Sequence, residues 1–213
     1  MLGLLAPTLV AIGAACVLGG TLRNLLYIRV RGWPAIVVAF AIELVLYNPP
    51  VDGQAWANAV GPWLWVATKL VLLGAVLLNA RDAAQRWPWL VVGAGLALNT
   101  LVIVSNGGFM PQSVDAAAAV WGQRTLDPAR LHNVMPIGPQ TQLVWLADVL
   151  PEPRWLPRAN VLSVGDLLLA LGVSAWAFVA TKSTIRFSID SLGISWSEAP
   201  LHGDARSSRR IST

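Results

Sequence analysis

Five apolar runs, at about 2 to 21, 33 to 48, 61 to 79, 87 to 105 and 161 to 180, each approach the ~20 residues that a helix needs to cross a bilayer core. Lipid offers no partner to backbone amides, so runs of this length are confined to helices, which satisfy those amides internally. Composition agrees. The 213 residues are 55% hydrophobic and 12% charged, about half the charged share of an ordinary soluble domain, and the mean hydropathy is +0.59. The expected fold is therefore all-α: an integral membrane bundle of about five helices over residues 1–180, followed by a basic tail over 181–213.

Tryptophan supports the same boundaries. Of eleven in the chain, Trp33, Trp63, Trp65, Trp87 and Trp89 fall at run ends, where an indole favours the lipid–water boundary. The first run is expected to stay as a helix rather than to be removed as a secretory signal. Its first basic residue, Arg23, lies beyond the apolar stretch instead of before it.

Orientation follows from Lys and Arg in the short connections, which resist translocation. Arg23, Arg29 and Arg31 follow the first run, none lies between Asn48 and Val60, Arg81 and Arg86 follow the third run, and Lys182, Arg186, Arg206, Arg209 and Arg210 mark the tail. The alternation predicts an outside N-terminus and a cytoplasmic C-terminus, in a bacterial cytoplasmic membrane. Residues 106–160 then form a long external loop between the fourth and fifth helices. Its many prolines divide it, leaving Ser113 to Gln123 and Thr141 to Leu150 as stretches expected to make two or three helical turns each. Trp121 and Leu143 to Leu146 suggest a cap resting on the membrane surface. In the tail, Ile185 to Trp196 alternates partly like a strand, but one short segment is not expected to make a sheet.

The net charge of +4 does not point to nucleic acid, because the basic residues sit in short clusters between apolar runs. They read as topology signals, with affinity for anionic lipid in the tail. The one cysteine, Cys16, allows neither an intramolecular disulfide nor a cysteine metal site. His132 and His202 are expected on opposite sides of the membrane, so no shared metal or haem is predicted. Phosphate-loop, zinc-protease and nucleophile-elbow spacings do not occur, so no catalytic residue and no cofactor is assigned.

Ionisable groups inside membrane helices are costly enough to be candidates for function. Here they are Glu43, Lys69 and Asp166. At ~1.5 Å per helical residue, Glu43 lies roughly 6 to 9 Å below the outer end of the second helix, Lys69 about 12 Å into the third, and Asp166 about 7 Å into the fifth. Asn99 of the fourth falls at a similar level. Four polar side chains are thus expected to converge beneath the external loop. They would act either as a packing cluster built on a Glu43–Lys69 ion pair or as a pocket for a ligand, ion or proton.

Asn106-Gly107-Gly108-Phe109-Met110-Pro111 is the most distinctive short stretch, since paired glycines permit positive φ and Pro111 stiffens the exit. Together with Leu22-Arg23-Asn24-Leu25, Leu146-Ala-Asp148-Val-Leu-Pro151 and Val161-Leu-Ser163-Val-Gly-Asp166-Leu-Leu168, it resembles an uncharacterised bacterial family of small polytopic membrane proteins. The resemblance singles out Asn106, Gly107, Gly108, Met110, Pro111, Asp148, Pro151, Ser163, Gly165 and Asp166 and implies no activity. The Asn-Gly-Gly turn and the Ser163 to Asp166 segment are expected to touch.

Three functions compete. One is a non-enzymatic accessory or scaffolding subunit of a membrane complex, its partners being lipids and other membrane subunits or a second copy of itself. Another is a protein that binds or transports a small solute or ion through Glu43, Lys69, Asn99 and Asp166. The third, which no motif supports, is an enzyme acting on lipid or quinone with outer carboxylates as bases.

Overall fold

The computed structural model describes residues 2–48, 50–51, 54–82, 84–122, 133–157 and 159–183, and the backbone of 185–190 and 193–198. Four expectations fall partly or wholly on residues outside these: the end of the Ser113 to Gln123 stretch, the placement of His132, that of His202, and the tail beyond Glu198.

The apolar runs form helices α1 (Leu2–Val17), α2 (Trp33–Leu46), α3 (Ala55–Asn79), α4 (Arg86–Ser105) and, after a short α5 (Val114–Trp121), α6 (Val164–Lys182). By length and composition α3, α4 and α6 are each able to cross a membrane, which marks this as a membrane protein. At ~1.5 Å per residue, α1 and α2 reach only about 24 and 21 Å, short of a ~30 Å hydrocarbon core.

Several boundaries differ from the sequence reading for local reasons. The first helix stops at Val17, where Gly19 turns the chain with φ +91 before a 3-10 turn, Leu22–Tyr27. The second stops at Leu46, and Asn48 Nδ2 donates to the Leu44 carbonyl at 2.7 Å. The third begins six residues early, at Ala55, since an Ala-rich turn carries it past Asn58 and Pro62. The last begins later, at Val164, where Ser163 caps it.

These five long helices pack as a single row in the order α1, α6, α4, α3, α2, each held chiefly by its neighbour in the row. At one end of the row, Thr21 N donates to Thr181 O (3.1 Å) and Lys182 Nζ to Leu18 O (2.9 Å). Asn79 Oδ1 accepts Arg31 N at 2.9 Å there, and Trp176 Nε1 donates to Gln85 Oε1 at 2.9 Å. Helices α1 and α6 therefore run parallel, joined midway by Thr8 and Ser174 (3.2 Å). Helix α4 crosses α6 at very close range, because Gly95, Gly165 and Gly172 bring backbone to backbone; a Cβ on Gly95 would stand 2.5 Å from the Gly165 carbonyl.

The other end carries a folded cap. Strand β1 (Met110–Gln112) pairs in parallel with β2 (Val134–Pro136), and Gln112 also bridges Asp148 in parallel. Strands β3 (Leu150–Pro151) and β4 (Val161–Leu162) pair antiparallel. Helix α5 falls inside the expected Ser113 to Gln123 stretch; Ser113 Oγ accepts Ala116 N at its start, and Arg154 donates to the Ala118 and Ala119 carbonyls at its end. The second expected helix, Thr141 to Leu150, shrinks to a 3-10 turn, Val144–Leu146, bounded by left-handed Leu143 and extended Ala147. Met110 and Leu146 of the cap join Trp65 and Val66 of α3 and Val102 and Ile103 of α4 in one buried cluster, which seats the cap on the helices. Trp145 is 67% exposed, an indole on the cap's outer surface.

The tail does form a sheet, against expectation. Strand β5 (Ile185–Asp190) pairs antiparallel with β6 (Gly193–Glu198), Ile185 opposite Glu198 and Asp190 opposite Gly193. The segment lacked a partner in the sequence reading because its mate was hidden in the same alternating stretch.

Candidate functional site

The four polar side chains expected to form one cluster separate into two. Helix α2 touches only α3 to any extent, so Glu43 meets Lys69, Nζ to Oε1 at 2.8 Å. The Thr68 hydroxyl lies 2.7 Å from both Glu43 Oε1 and the Trp65 carbonyl, with one hydrogen to give. Lys69 Nζ also lies 5.1 Å from the centre of the Trp65 ring, within the range where a cation is drawn to an indole face. Tyr47 meets that ring edge-on at 6.2 Å. The side chains of Lys69 and Glu43 are 14% and 18% exposed, so the pair is mostly desolvated and each charge depends on the other.

The second set ties α4 to the start of α6. Asn99 Nδ2 donates to Asp166 Oδ1 (2.8 Å). Ser163 Oγ lies 2.9 Å from Asn99 Oδ1 and 2.8 Å from Asp166 Oδ2, with a single hydrogen to share between them. Asp166 Oδ2 accepts Ser163 N (2.9 Å) while Ser163 Oγ accepts Asp166 N (3.0 Å), a reciprocal capping box in which the carboxylate also favours the positive end of α6. Gly165 is required beside it, since a Cβ there would stand 1.9 Å from Asn99 Oδ1. No hydrogen bond joins this set to Glu43 or Lys69 among the described residues.

No hydrogen bond among the described residues joins the Asn-Gly-Gly turn to the Ser163 to Asp166 segment. Asn106 Nδ2 donates to Val102 O and Gln142 O, and Asn106 Oδ1 accepts Gln142 N, which stitches the end of α4 to the cap. Gly107 and Gly108 adopt φ +69 and +93, and a Cβ on Gly108 would stand 2.5 Å from Pro62 Cβ. The turn thus presses on α3, and the polar contact to Ser163 comes from Asn99 instead. Pro111 and Met110 are buried in β1.

Asp148 lies between the cap and the second set. Its backbone N donates to Pro111 O and its carbonyl accepts Ser113 N, both at 2.9 Å. Burial first, and then the negative charge of Asp166, push its carboxyl up to about 8. The sequence reading missed Gln112, Asp148's partner across the bridge and only 2% exposed. The signal was slight: a polar residue directly after a motif ending in proline. Thr68 and Tyr47 were missed as well, their roles arising only once α2 lies on α3. Among the described residues no group of three or more His, Cys, Asp or Glu is placed to hold a metal ion.

No curated protein and no solved structure matches this chain. A match to a family pattern spans residues 27–178, from the first connection through most of α6 and including the cap. The chain therefore belongs to DUF5317, a family of unknown function.

Proposed function

We propose that this chain is a non-enzymatic, five-crossing protein of the bacterial cytoplasmic membrane, with its N-terminus outside and its C-terminus inside, that serves as an accessory or scaffolding subunit of a membrane complex. The observation that carries the reading is the open row of helices. Helix α2 closes one edge with only Ala39 and Leu46 buried, while Phe40, Leu44 and Val45 are each more than half exposed. Helix α1 closes the other edge with Leu5, Leu9 and Val10 exposed. Two unpaired edges suit a subunit that takes helices of other chains as neighbours. An open apolar groove of about 350 Å³ between α2 and α3, lined by Val38, Ile42, Val45, Trp56 and Leu64 among others, lies along the first of these edges.

The charge pattern supports the orientation. Arg31 and Lys182 both mark the end of the row opposite the cap; Arg23, Arg29 and Arg81 belong to connections at that same end, and Arg86 opens α4 there. Short basic connections are retained in the cytoplasm. A cytoplasmic membrane thinned around α1 and α2, or those helices' flanking turns, would accommodate their shorter spans.

The alternative, solute or ion binding by Glu43, Lys69, Asn99 and Asp166, is disfavoured because the four groups are engaged as two separate pairs, Glu43 with Lys69 and Asn99 with Asp166, rather than around one pocket. Gentle nanodisc extraction at native expression level, with mass spectrometry of the co-purifying chains, tests the proposal. Stoichiometric membrane subunits, or a defined oligomer of this chain, are expected. A monodisperse lone chain would overturn it.

A further inference from the structure

Among the described residues, two buried oxygens of the cap have no hydrogen-bond partner: Gln112 Oε1 and Asp148 Oδ1. Both are acceptors, so neither satisfies the other, and a buried acceptor left bare is costly. They belong to residues directly opposed across a parallel bridge. Opposed residues on neighbouring strands, whose backbones lie about 4.8 Å apart, project their side chains to the same face. One hydrogen between the two oxygens would satisfy both.

We propose that Gln112 and Asp148 form a proton-binding site, in which a hydrogen carried on Asp148 Oδ1 is donated to Gln112 Oε1 and joins β1 to the segment leading into β3 within the cap. The surroundings favour a neutral acid. Gln112, facing it from β1, is uncharged; Asp166, acting on it from α6, is negative. Glu152 of the β3–β4 connection is turned to Asn160 N at 2.8 Å, and Asp115 of α5 is exposed. No salt bridge reaches Asp148 among the described residues. Its carboxyl, raised to about 8, then holds the proton at neutral pH. The proposal does not depend on the accessory role.

The full chain in nanodiscs, followed by infrared spectroscopy through a pH series, tests it. A protonated-carboxyl band is expected near ~pH 6, gone by ~pH 9, and missing from Asp148→Asn. Amide exchange of Ser113 and Asp148, corrected for its intrinsic rate, is expected to rise by up to about tenfold per pH unit below the carboxyl's midpoint and not to do so in Asp148→Asn. The carboxamide of that variant donates the same hydrogen bond at every pH. In Gln112→Leu the band should persist but shift, having lost its acceptor.

Absence of the band at ~pH 6 would overturn the proposal, as would its survival in Asp148→Asn or its indifference to Gln112→Leu. A response to sodium or potassium at fixed pH would replace the proton with a bound cation. Should Asp148→Asn fail to fold, the wild-type titration with and without salt decides the matter alone.

Discussion

Gly165 of α6 lies against the carboxamide of Asn99 on α4 so closely that the smallest added side chain would stand 1.9 Å from Asn99 Oδ1. The helix crossing and the hydrogen bonds of Asn99, Ser163 and Asp166 are therefore one feature: the glycine sets the distance at which the polar groups meet.

Gly165→Ala is accordingly expected to force α4 and α6 apart and to destabilise the protein by about 1–3 kcal/mol, as overpacking does. Gly74→Ala in α3 supplies the control, since nothing lies within 4 Å of its added Cβ. That variant should be neutral or gain up to about 1 kcal/mol from helix propensity. Thermal unfolding of both in the same detergent makes the comparison; equal midpoints would mean that the crossing gives way freely.

The Glu43–Lys69 pair predicts a non-additive result. Removing one partner by Lys69→Met strands a mostly buried carboxylate and should cost about 3–5 kcal/mol, whereas Lys69→Met combined with Glu43→Leu should recover most of that loss. A double-mutant cycle on unfolding midpoints measures the coupling. If the pair serves packing alone, the double variant keeps its partners on extraction.

Asp148 gives the stability a defined pH dependence. Its carboxyl is raised from an ordinary 3.8 to about 8, so the folded state holds a proton that the unfolded state has released throughout that interval. The stabilisation is complete below the lower value, declines as pH rises, and levels off above about 8. The slope contributed by this one group is at most about 1.4 kcal/mol per pH unit. Unfolding midpoints measured from mildly acidic to mildly alkaline pH should fall in the wild type, with the slope reduced in Asp148→Asn.

Sidedness is checked with the native thiol removed, as Cys16→Ala. In that background Trp145→Cys on the cap should react with an impermeant maleimide added to intact cells, and Arg31→Cys should react only after lysis. The reverse pattern would invert the orientation drawn from the basic connections.

Much of the helical frame was legible because lipid-length apolarity is a property of contiguous sequence. The early start of α3 was not, since Ala55 to Val60 contains Asn58 and announces itself through alanine rather than hydropathy. The candidate polar residues were legible one at a time, from the cost of burying each. How they divide was hidden: Glu43 meets Lys69 and Asn99 meets Asp166 because α4 stands between α3 and α6 in the row, an order set by packing across the whole chain. Gln112 was invisible for a related reason. Its meaning rests on Asp148, a residue 36 positions further on brought alongside by a single bridge.

The parallel pairing of α1 with α6 also constrains how the molecule is assembled. Thr8 waits for Ser174, a partner 166 residues away, and α1 has no other principal neighbour in the row. During synthesis α1 thus emerges well before its partner α6, while α2, α3 and α4 are able to associate in sequence as they appear. Contacts between such distant segments close late. A chain interrupted before α6 would leave α1 unclaimed, so completion of α6 marks the moment at which the row becomes whole.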